Sequence, residues 1–476
     1  MKVELIGKSF LKDSLKSYEE CDTSVDQMFE SEEVKRDLKI MAGKAAGICY
    51  MGDNYLSDGI QNVDKATARA NNTAKSGHYS TYEHGSVNLL IETNKMMAMV
   101  LNSMGLYCTS EKSARYTAMK PNTEIEEHMY SKWKGIFANL IGAYHVNFDD
   151  KQIEKLAMEN ARYMLSVFTP TVMEYSVPYN RLILMHGWLN DLRAKIINLI
   201  SKCTGGKSIN PKDYKRETQI NFLLQLHDSV ENLYNAFSKL NITKEDNKPI
   251  LSDHKNMEID LFTFLSRDVY ENIYTADAAF IAKYDREDPI GCYNNIGGNI
   301  YEMGYFASFA ELAQAQRHRT LHYSINNIAF ERCYIPKIIR NTPYEEEWIE
   351  DFKELVSKGV VPQATLLKIQ ESGLIKNFIL KAKERLCLRA QLEICDITVE
   401  QVKIFYKNKY GINPSYEKYF NSLVNILDIN PTGLSKKYNS PDYDSYNVKP
   451  RCFMNDYVCK EACGRACINC LKDRIV

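Results

Sequence analysis

Gln314 and the run Arg317-His318-Arg319 concentrate an amide, two guanidinium groups and an imidazole in six residues. Gln314, Arg317 and His318 fall at i, i+3 and i+4, so on a helix they share one face. Arginine offers a fork of donors to a phosphate or ring carbonyl, and glutamine can pair with an imide edge. This spacing predicts a site for a planar anionic ligand, although Arg-His-Arg by itself is typical of a solvated basic patch.

A second cluster, in the first half of the chain, alternates Glu111, Ser113 and Arg115. In extended backbone these side chains lie on one face, where serine and arginine can grip a phosphate and the glutamate can orient a ribose. One offset of 214 residues, from Ser103 to Arg317, aligns the two clusters without a gap. The alignment indicates a duplicated segment, and each copy lacks what the other retains.

Arg317-His318-Arg319 resembles the opening of the signature of the flavin-dependent thymidylate synthase family. That signature continues through an acidic residue to Ser-x-Arg-Tyr, but the second half of this chain has Asn327 and Ala329 at the serine and arginine positions. The first half keeps Ser113 and Arg115, and has Ser103 where the Arg-His-Arg should begin.

Three further segments are similar to parts of the same family. Gly77–His84 resembles its His-x-Ser-x-x-Glu-His segment, and Glu159–Tyr163 resembles a segment whose arginine reaches the nucleotide. Arg385 with Ala390–Ile394 resembles the other nucleotide arginine and the following Ala-Gln-Trp-Glu-Ile, with Leu392 replacing the tryptophan.

The resemblance implies an α+β fold of two tandem repeats, each with a sheet and long helices, and hybrid sites built from one first and one second repeat. It assigns substrate binding to Glu111, Ser113, Arg115, Arg162, Gln314 and Arg385. It assigns FAD binding to His78, Ser80, His84, Glu111, Arg317, His318 and Arg319. The residues it implies for catalysis are Arg317, Arg385 and Ser113.

The implied reaction is reductive methylation of dUMP to dTMP, with FAD as cofactor and methylenetetrahydrofolate and NADPH as co-substrates. Because the flavin carries the redox chemistry, the protein binds, orients and polarises. Hydroxymethylation of dUMP, or another modification at C5 of a uracil nucleotide, would use the same grip. A non-catalytic regulator that binds flavin or nucleotide is the alternative of another class. The resemblance also implies a homodimer, a pseudo-tetramer of four repeats, and leaves open whether hybrid sites form within or between chains.

Length and charge limit the remaining classes of function. The 476 residues are 45% hydrophobic, enough for two or three cores. With 60 basic and 61 acidic side chains the net charge is −1, so we expect neither a nucleic-acid nor a membrane partner. We read no signal peptide at the amino terminus and no stretch of ~20 apolar residues, and we expect a cytoplasmic protein with reduced or metal-bound thiols.

Along the chain we expect a first repeat over 1–215, a second over 216–427, a linker over 428–450 and a cysteine-rich tail over 451–476. The Met-rich segment 96–104 is expected to fill the core, and 86–93 to form a strand. Helices are expected near 32–50, 64–75, 126–145, 150–168, 178–203, 257–284, 299–316, 345–358, 364–385 and 396–408.

The tail contains five cysteines within nineteen residues, from Cys452 to Cys470. So short a segment has almost no core and needs a metal or disulfides for order. Four thiolates suit Zn²⁺ or an iron–sulfur cluster equally well, and a flexible redox-sensitive tail is the alternative. The candidate ligands are Cys459, Cys463, Cys467 and Cys470.

Overall fold

The computed structural model describes residues 1–9, 31–48, 62–76, 79–103, 107–114, 117–144, 148–204, 214–240, 293–297, 300–387, 390–410 and 475. The chain divides into two compact units. The first takes its described residues from 1–113, 168–213 and 220–262, and the second from 114–167, 214–219 and 263–476. Within the described part of the chain, no helix combines the length and the apolar character needed to cross a membrane.

The strands are β1 (Lys2–Lys8), β2 (Ser86–Asn94), β3 (Cys108–Glu111), β4 (Pro170–Pro178), β5 (Tyr293–Gly297), β6 (Ile300–Ser308), β7 (Leu321–Cys333) and β8 (Thr365–Leu374). The helices are α1 (Ser31–Ile48), α2 (Val63–Lys75), α3 (Lys95–Leu101), α4 (Glu124–Tyr144), α5 (Asp150–Ala161), α6 (Tyr179–Thr204), α7 (Tyr214–Lys239), α8 (Phe309–Ala315), α9 (Pro343–Ser357), α10 (Ile375–Arg385) and α11 (Leu392–Tyr410). Short 3₁₀ turns lie at Tyr79–Glu83, Arg162–Met164 and Lys337–Ile339.

The first unit contains an antiparallel sheet with strand order β1-β2-β4-β3. β2 and β4 pair over nine residues, and Val87, Leu89 and Ile91 alternate along β2 as buried side chains. This period of two is what a strand with a covered face requires. β2 leads directly into α3, and the Asn94 side chain caps that helix by accepting from the Met97 N–H at 2.9 Å. Every residue of α3 is buried, as expected for a methionine-rich core segment.

Helices α1 and α2 of the first unit pack through small residues. Ala66, Ala70 and Ala74 recur every four residues along α2 and are buried. A Cβ built on Gly43 of α1 would lie 1.8 Å from the carbonyl oxygen of Ala66, so a side chain at this position cannot be accommodated. The glycine thus sets the distance between the two helices.

The second unit contains an antiparallel sheet with strand order β5-β6-β8-β7. In its core α4 and α9 meet through aromatic side chains. Trp133 and Trp348 contact edge to face with ring centroids 4.7 Å apart, and both contact Phe137. Asp351 anchors this contact by accepting from the Trp133 indole N–H at 2.8 Å and from Lys132 Nζ at 2.6 Å. Such pairs add to the free energy gained from their buried area alone.

The two sheets correspond element by element. β2 with α3 and β6 with α8 have equal lengths, and they begin 214 residues apart, at Ser86 and Ile300. In the first sheet Cys108 pairs with Ser176, and in the second His322 pairs with Ser372, which is again 214 residues later on one strand and 196 on the other. The strand order is therefore the same in both sheets, and the 214-residue offset equals the one read from the sequence.

The α+β class and most expected helices are confirmed, but three expectations in the second half of the chain are corrected or untested. The segments 299–316 and 364–385 were expected to be helical, and each begins with a strand, β6 or β8, before its helix starts. Both strands are almost wholly buried, and a short apolar run does not separate strand from helix by periodicity. The helix expected over 257–284 lies outside the described residues.

Two boundaries in the first half also differ. The helix expected over 150–168 ends at Ala161, where the 3₁₀ turn Arg162–Met164 leads toward β4. α7 occupies part of 204–256, where we expected the connection between repeats. Residues 114–167 of the expected first repeat lie in the second compact unit.

Candidate functional site

The segment from Ser308 to Arg319 is a short capped helix followed by turns. Ser308 Oγ accepts from the Glu311 N–H at 3.2 Å, which starts α8, and the helix ends at Ala315. Arg317 and His318 therefore lie after the helix, where their N–H groups donate to the backbone oxygens of Gln314 and Ala315. These turns keep Gln314 and His318 close to each other although the helix does not reach His318.

Arg385, at the last position of α10, ties this segment together. Its Nε donates to His318 Nε2 at 2.8 Å, and its Nη2 donates to the Gln314 carbonyl oxygen at 2.9 Å. Burial, with the positive charges of Arg385 and Lys381, lowers the pKa of His318 to about 2. His318 is thus neutral, with Nε2 as acceptor, and its proton is assigned to Nδ1.

Arg162 reaches the same segment through Gln391. The Gln391 side-chain oxygen accepts from both Arg162 Nη2 and Gln314 Nε2, and its amide nitrogen donates to the Tyr163 hydroxyl. Arg162 is only 5% exposed, and its guanidinium lies over the Tyr163 ring at 5.9 Å. An arginine buried this deeply is held by its hydrogen bonds and by the neighbouring ring.

Glu393 completes this network. It accepts from the Tyr163 hydroxyl at 2.6 Å, from Ser308 Oγ at 2.7 Å and from the Ser308 N–H at 2.8 Å. Burial raises the pKa of Glu393, while the bonds from Tyr163 and Ser308 act in the opposite direction. The chain of bonds therefore runs from Arg162 to the capping residue of α8. We call Arg162, Gln314, His318, Arg385 and Gln391 the arginine cluster.

The second unit thus brings together four of the predicted site residues: Arg162, Gln314, His318 and Arg385. Arg317 and Arg319 follow Gln314 directly in the chain, the former half-buried and the latter exposed. Sequence reasoning gave Gln391 and Glu393 no site role and omitted Tyr163 and Ser308. The Ala390–Ile394 motif was the available signal, since it already contained Gln391 and Glu393 in sequence.

Other predicted residues lie in the first unit. Glu111 forms a buried ion pair with Lys95, and Thr171 Oγ1 donates to the same carboxylate oxygen at 3.3 Å. Ser113 follows β3 and is half-buried, whereas Ser80 and His84 are exposed at and just after the 3₁₀ turn Tyr79–Glu83. Glu111 is therefore neutralised within its own unit.

Several predicted residues lie outside the described part of the chain, namely His78, Arg115, Cys459, Cys463, Cys467 and Cys470. In the part that is described, no group of three or more His, Cys, Asp or Glu side chains is arranged to hold a metal ion. The expected metal site in the tail stays a prediction.

The arginine cluster suits an anionic ligand. Arg162 and Arg385 supply guanidinium donors, and neutral His318 adds one N–H donor rather than a further positive charge. Guanidinium groups match the oxygen pairs of a phosphate, which a nucleotide and a dinucleotide cofactor both carry. The donor set of the cluster therefore fits both FAD and a nucleoside monophosphate.

Residues 34–195 match the model of the family described as thymidylate synthase complementing protein. This match places the chain in the flavin-dependent thymidylate synthase family, and it is a flavin-dependent thymidylate synthase-like enzyme. The matched range contains Glu111, Ser113 and Arg162, whereas Gln314 and Arg385 lie beyond it. No curated protein matches the chain.

Two solved structures are similar at low identity. A UMP/dUMP methylase PolB from Streptomyces cacaoi bound with 5-Br dUMP is 16% identical, with 38% of this chain and 74% of that chain covered and a TM-score of 0.23. A flavin-dependent thymidylate synthase ThyX from Helicobacter pylori, complexed with FAD and dUMP, is 14% identical, with 53% and 97% covered and a TM-score of 0.25. TM-scores this low carry no argument about fold or ligand.

Proposed function

We propose that this protein catalyses the FAD-dependent reductive methylation of dUMP to dTMP, with methylenetetrahydrofolate and NADPH as co-substrates. One observation carries the proposal: Arg162, from the first half of the chain, shares Gln391 with Gln314, from the second half. The family resemblance assigns these two residues to different halves of one nucleotide site. The family match over 34–195 supports the same activity.

The proposal includes a tandem duplication with hybrid sites. The identical strand order of the two sheets and their shared 214-residue offset support the duplication. Arg162 and Arg385 belong to one compact unit of one chain, which favours hybrid sites formed within a chain. A homodimer of such chains would contain four repeats and two sites.

In this site Arg162 and Arg385 bind the phosphate oxygens, because each guanidinium is fixed by a side chain or backbone oxygen before the ligand arrives. Gln314 orients the base, and His318 donates from Nδ1 since its Nε2 accepts from Arg385. Arg317 and Arg319 would hold the flavin. Bound FAD supplies the hydride, and the protein contributes binding, orientation and stabilisation of charge on the uracil.

The test is tritium release from C5-labelled dUMP, dependent on NADPH and methylenetetrahydrofolate, with the flavin spectrum recorded and the product identified. dTMP is the expected product. Arg385→Ala should abolish release, and Arg332→Ala, outside the aligned set, should retain it. 5-Hydroxymethyl-dUMP would establish the hydroxymethylase instead, and bound flavin without release would establish a non-catalytic regulator.

We also propose that the tail binds zinc or an iron–sulfur cluster through Cys459, Cys463, Cys467 and Cys470. Five closely spaced thiols support this proposal. Elemental analysis should find zinc or iron near one equivalent per chain, and a chain truncated after Pro450 should lose it. Metal-free full-length protein that retains full activity would contradict the proposal.

A further inference from the structure

Glu311 is a fully buried carboxyl group in α8, three residues before Gln314. Neither of its carboxyl oxygens has a hydrogen-bond partner among the described residues. A buried charge without hydrogen bonds is costly, so such a group normally protonates or meets a ligand. Its position on the face of Gln314 brings this property to the arginine cluster.

Charged and titratable side chains approach Glu311 from every element packed around α8. They are Tyr305 on β6, Glu371 on β8, Lys381 and Arg385 on α10, and Glu393 on α11. Burial, together with the charges of Glu393 and Glu371 and against those of Lys381 and Arg385, raises the pKa of Glu311 to about 8.

The two neighbouring carboxylates differ from Glu311 in being hydrogen-bonded. Glu371 accepts from the hydroxyls of Tyr301 at 2.7 Å and Tyr305 at 3.2 Å and pairs with buried Lys381. Glu393 accepts from Tyr163 and Ser308 as described above. Hydrogen bonds stabilise the ionised form of a carboxyl, and Glu311 has none. Of the three, Glu311 is therefore the group that retains a proton at neutral pH.

We propose that Glu311 is the proton-binding group of the arginine cluster, so that an anionic ligand binds there together with one proton. The positive charges of Arg162, Lys381 and Arg385 exceed by one the negative charges of Glu371 and Glu393. While Glu311 is protonated, this excess is available to a phosphate, and ionised Glu311 cancels it. Anion binding and proton uptake are coupled, because each stabilises the state to which the other binds. The choice of a nucleotide phosphate rests on the proposed function.

The coupling is measured as the affinity of the holoprotein for dUMP and for inorganic phosphate between pH 7 and pH 9. Both probes keep their phosphate charge nearly constant there, since the second phosphate pKa is about 6. Wild-type affinity should fall by up to about ten-fold across this range, as expected for one group that titrates near pH 8. Glu311→Gln should stay near the pH 7 affinity throughout. Glu384→Gln, exposed on α10 beside Arg385, should keep the wild-type dependence.

Calorimetry in two buffers of different ionisation enthalpy measures proton uptake by the wild-type protein and needs no variant. Uptake approaching one proton per ligand above pH 8 supports the proposal. Flat wild-type affinity, no uptake, a wild-type slope in folded Glu311→Gln, or no binding of either probe overturns it. Turnover to dTMP with a flat profile refutes this inference alone. Proton-coupled anion binding without turnover refutes the proposed enzyme and leaves the inference standing.

Discussion

Gln391 uses both ends of its amide to connect residues that are far apart in sequence. Its oxygen accepts from Arg162, 229 positions away, and from Gln314, and its nitrogen donates to the Tyr163 hydroxyl. All three partners are buried, so each would lose a partner that water does not replace. At the residue scale, the site therefore depends on an amide that binds no ligand in the proposed mechanism.

Replacing Gln391 by leucine, which has nearly the same shape, should weaken dUMP binding at least ten-fold because Arg162 and Gln314 lose their common acceptor. The unfolding free energy should fall by about 1–3 kcal/mol, the cost of leaving buried polar groups unsatisfied. Equilibrium binding and urea denaturation measure the two effects. Gln225→Leu, a half-buried control on α7, should change neither by comparable amounts, and equal losses in both variants would contradict the assignment.

Glu311 predicts a pH dependence of stability. Its folded-state pKa of about 8 lies above its ordinary value of 4.5, so the folded protein binds the proton more tightly than the unfolded chain. Its contribution to stability is fully present below about pH 4.5 and is lost as the pH rises toward 8. Urea denaturation from pH 5 to pH 8 should show Glu311→Gln gaining on wild type by up to a few kcal/mol. Parallel curves for the two proteins would refute this prediction.

At the scale of elements, the contact between α1 and α2 depends on one missing side chain. Gly43→Ala would place a methyl group against the Ala66 carbonyl, and the helices would have to separate. We expect a loss of about 1–3 kcal/mol in unfolding free energy, typical of overpacking. Gly135→Ala on α4 is the matched control, because its added Cβ meets nothing within 4 Å. It should be neutral or stabilising by up to about 1 kcal/mol. Similar losses in both would show that the helix contact is not the cause.

At the scale of the whole molecule, Arg162 and Arg385 lie in the same compact unit of one chain. An Arg162→Ala chain mixed with an Arg385→Ala chain should therefore recover no activity, since every site lacks one arginine. A mixture of wild type with a chain carrying both substitutions is the control and should retain wild-type sites. Recovery in the first mixture, measured by tritium release after co-expression, would show that sites exchange halves between chains.

The sequence by itself determined the residue types of the site and the offset between the two halves. Gln314, His318, Arg385 and Arg162 were selected from motifs because short spacings and turn chemistry are local properties. Only the tertiary structure decided that Gln391 joins them, that Lys95 neutralises Glu111, and that Glu311 is buried without a partner. It also decided that β6 and β8 are strands, because the neighbours that bury both faces come from distant parts of the chain. Hydrogen-bond partners and burial arise between residues up to 230 positions apart, and no local pattern encodes such pairs.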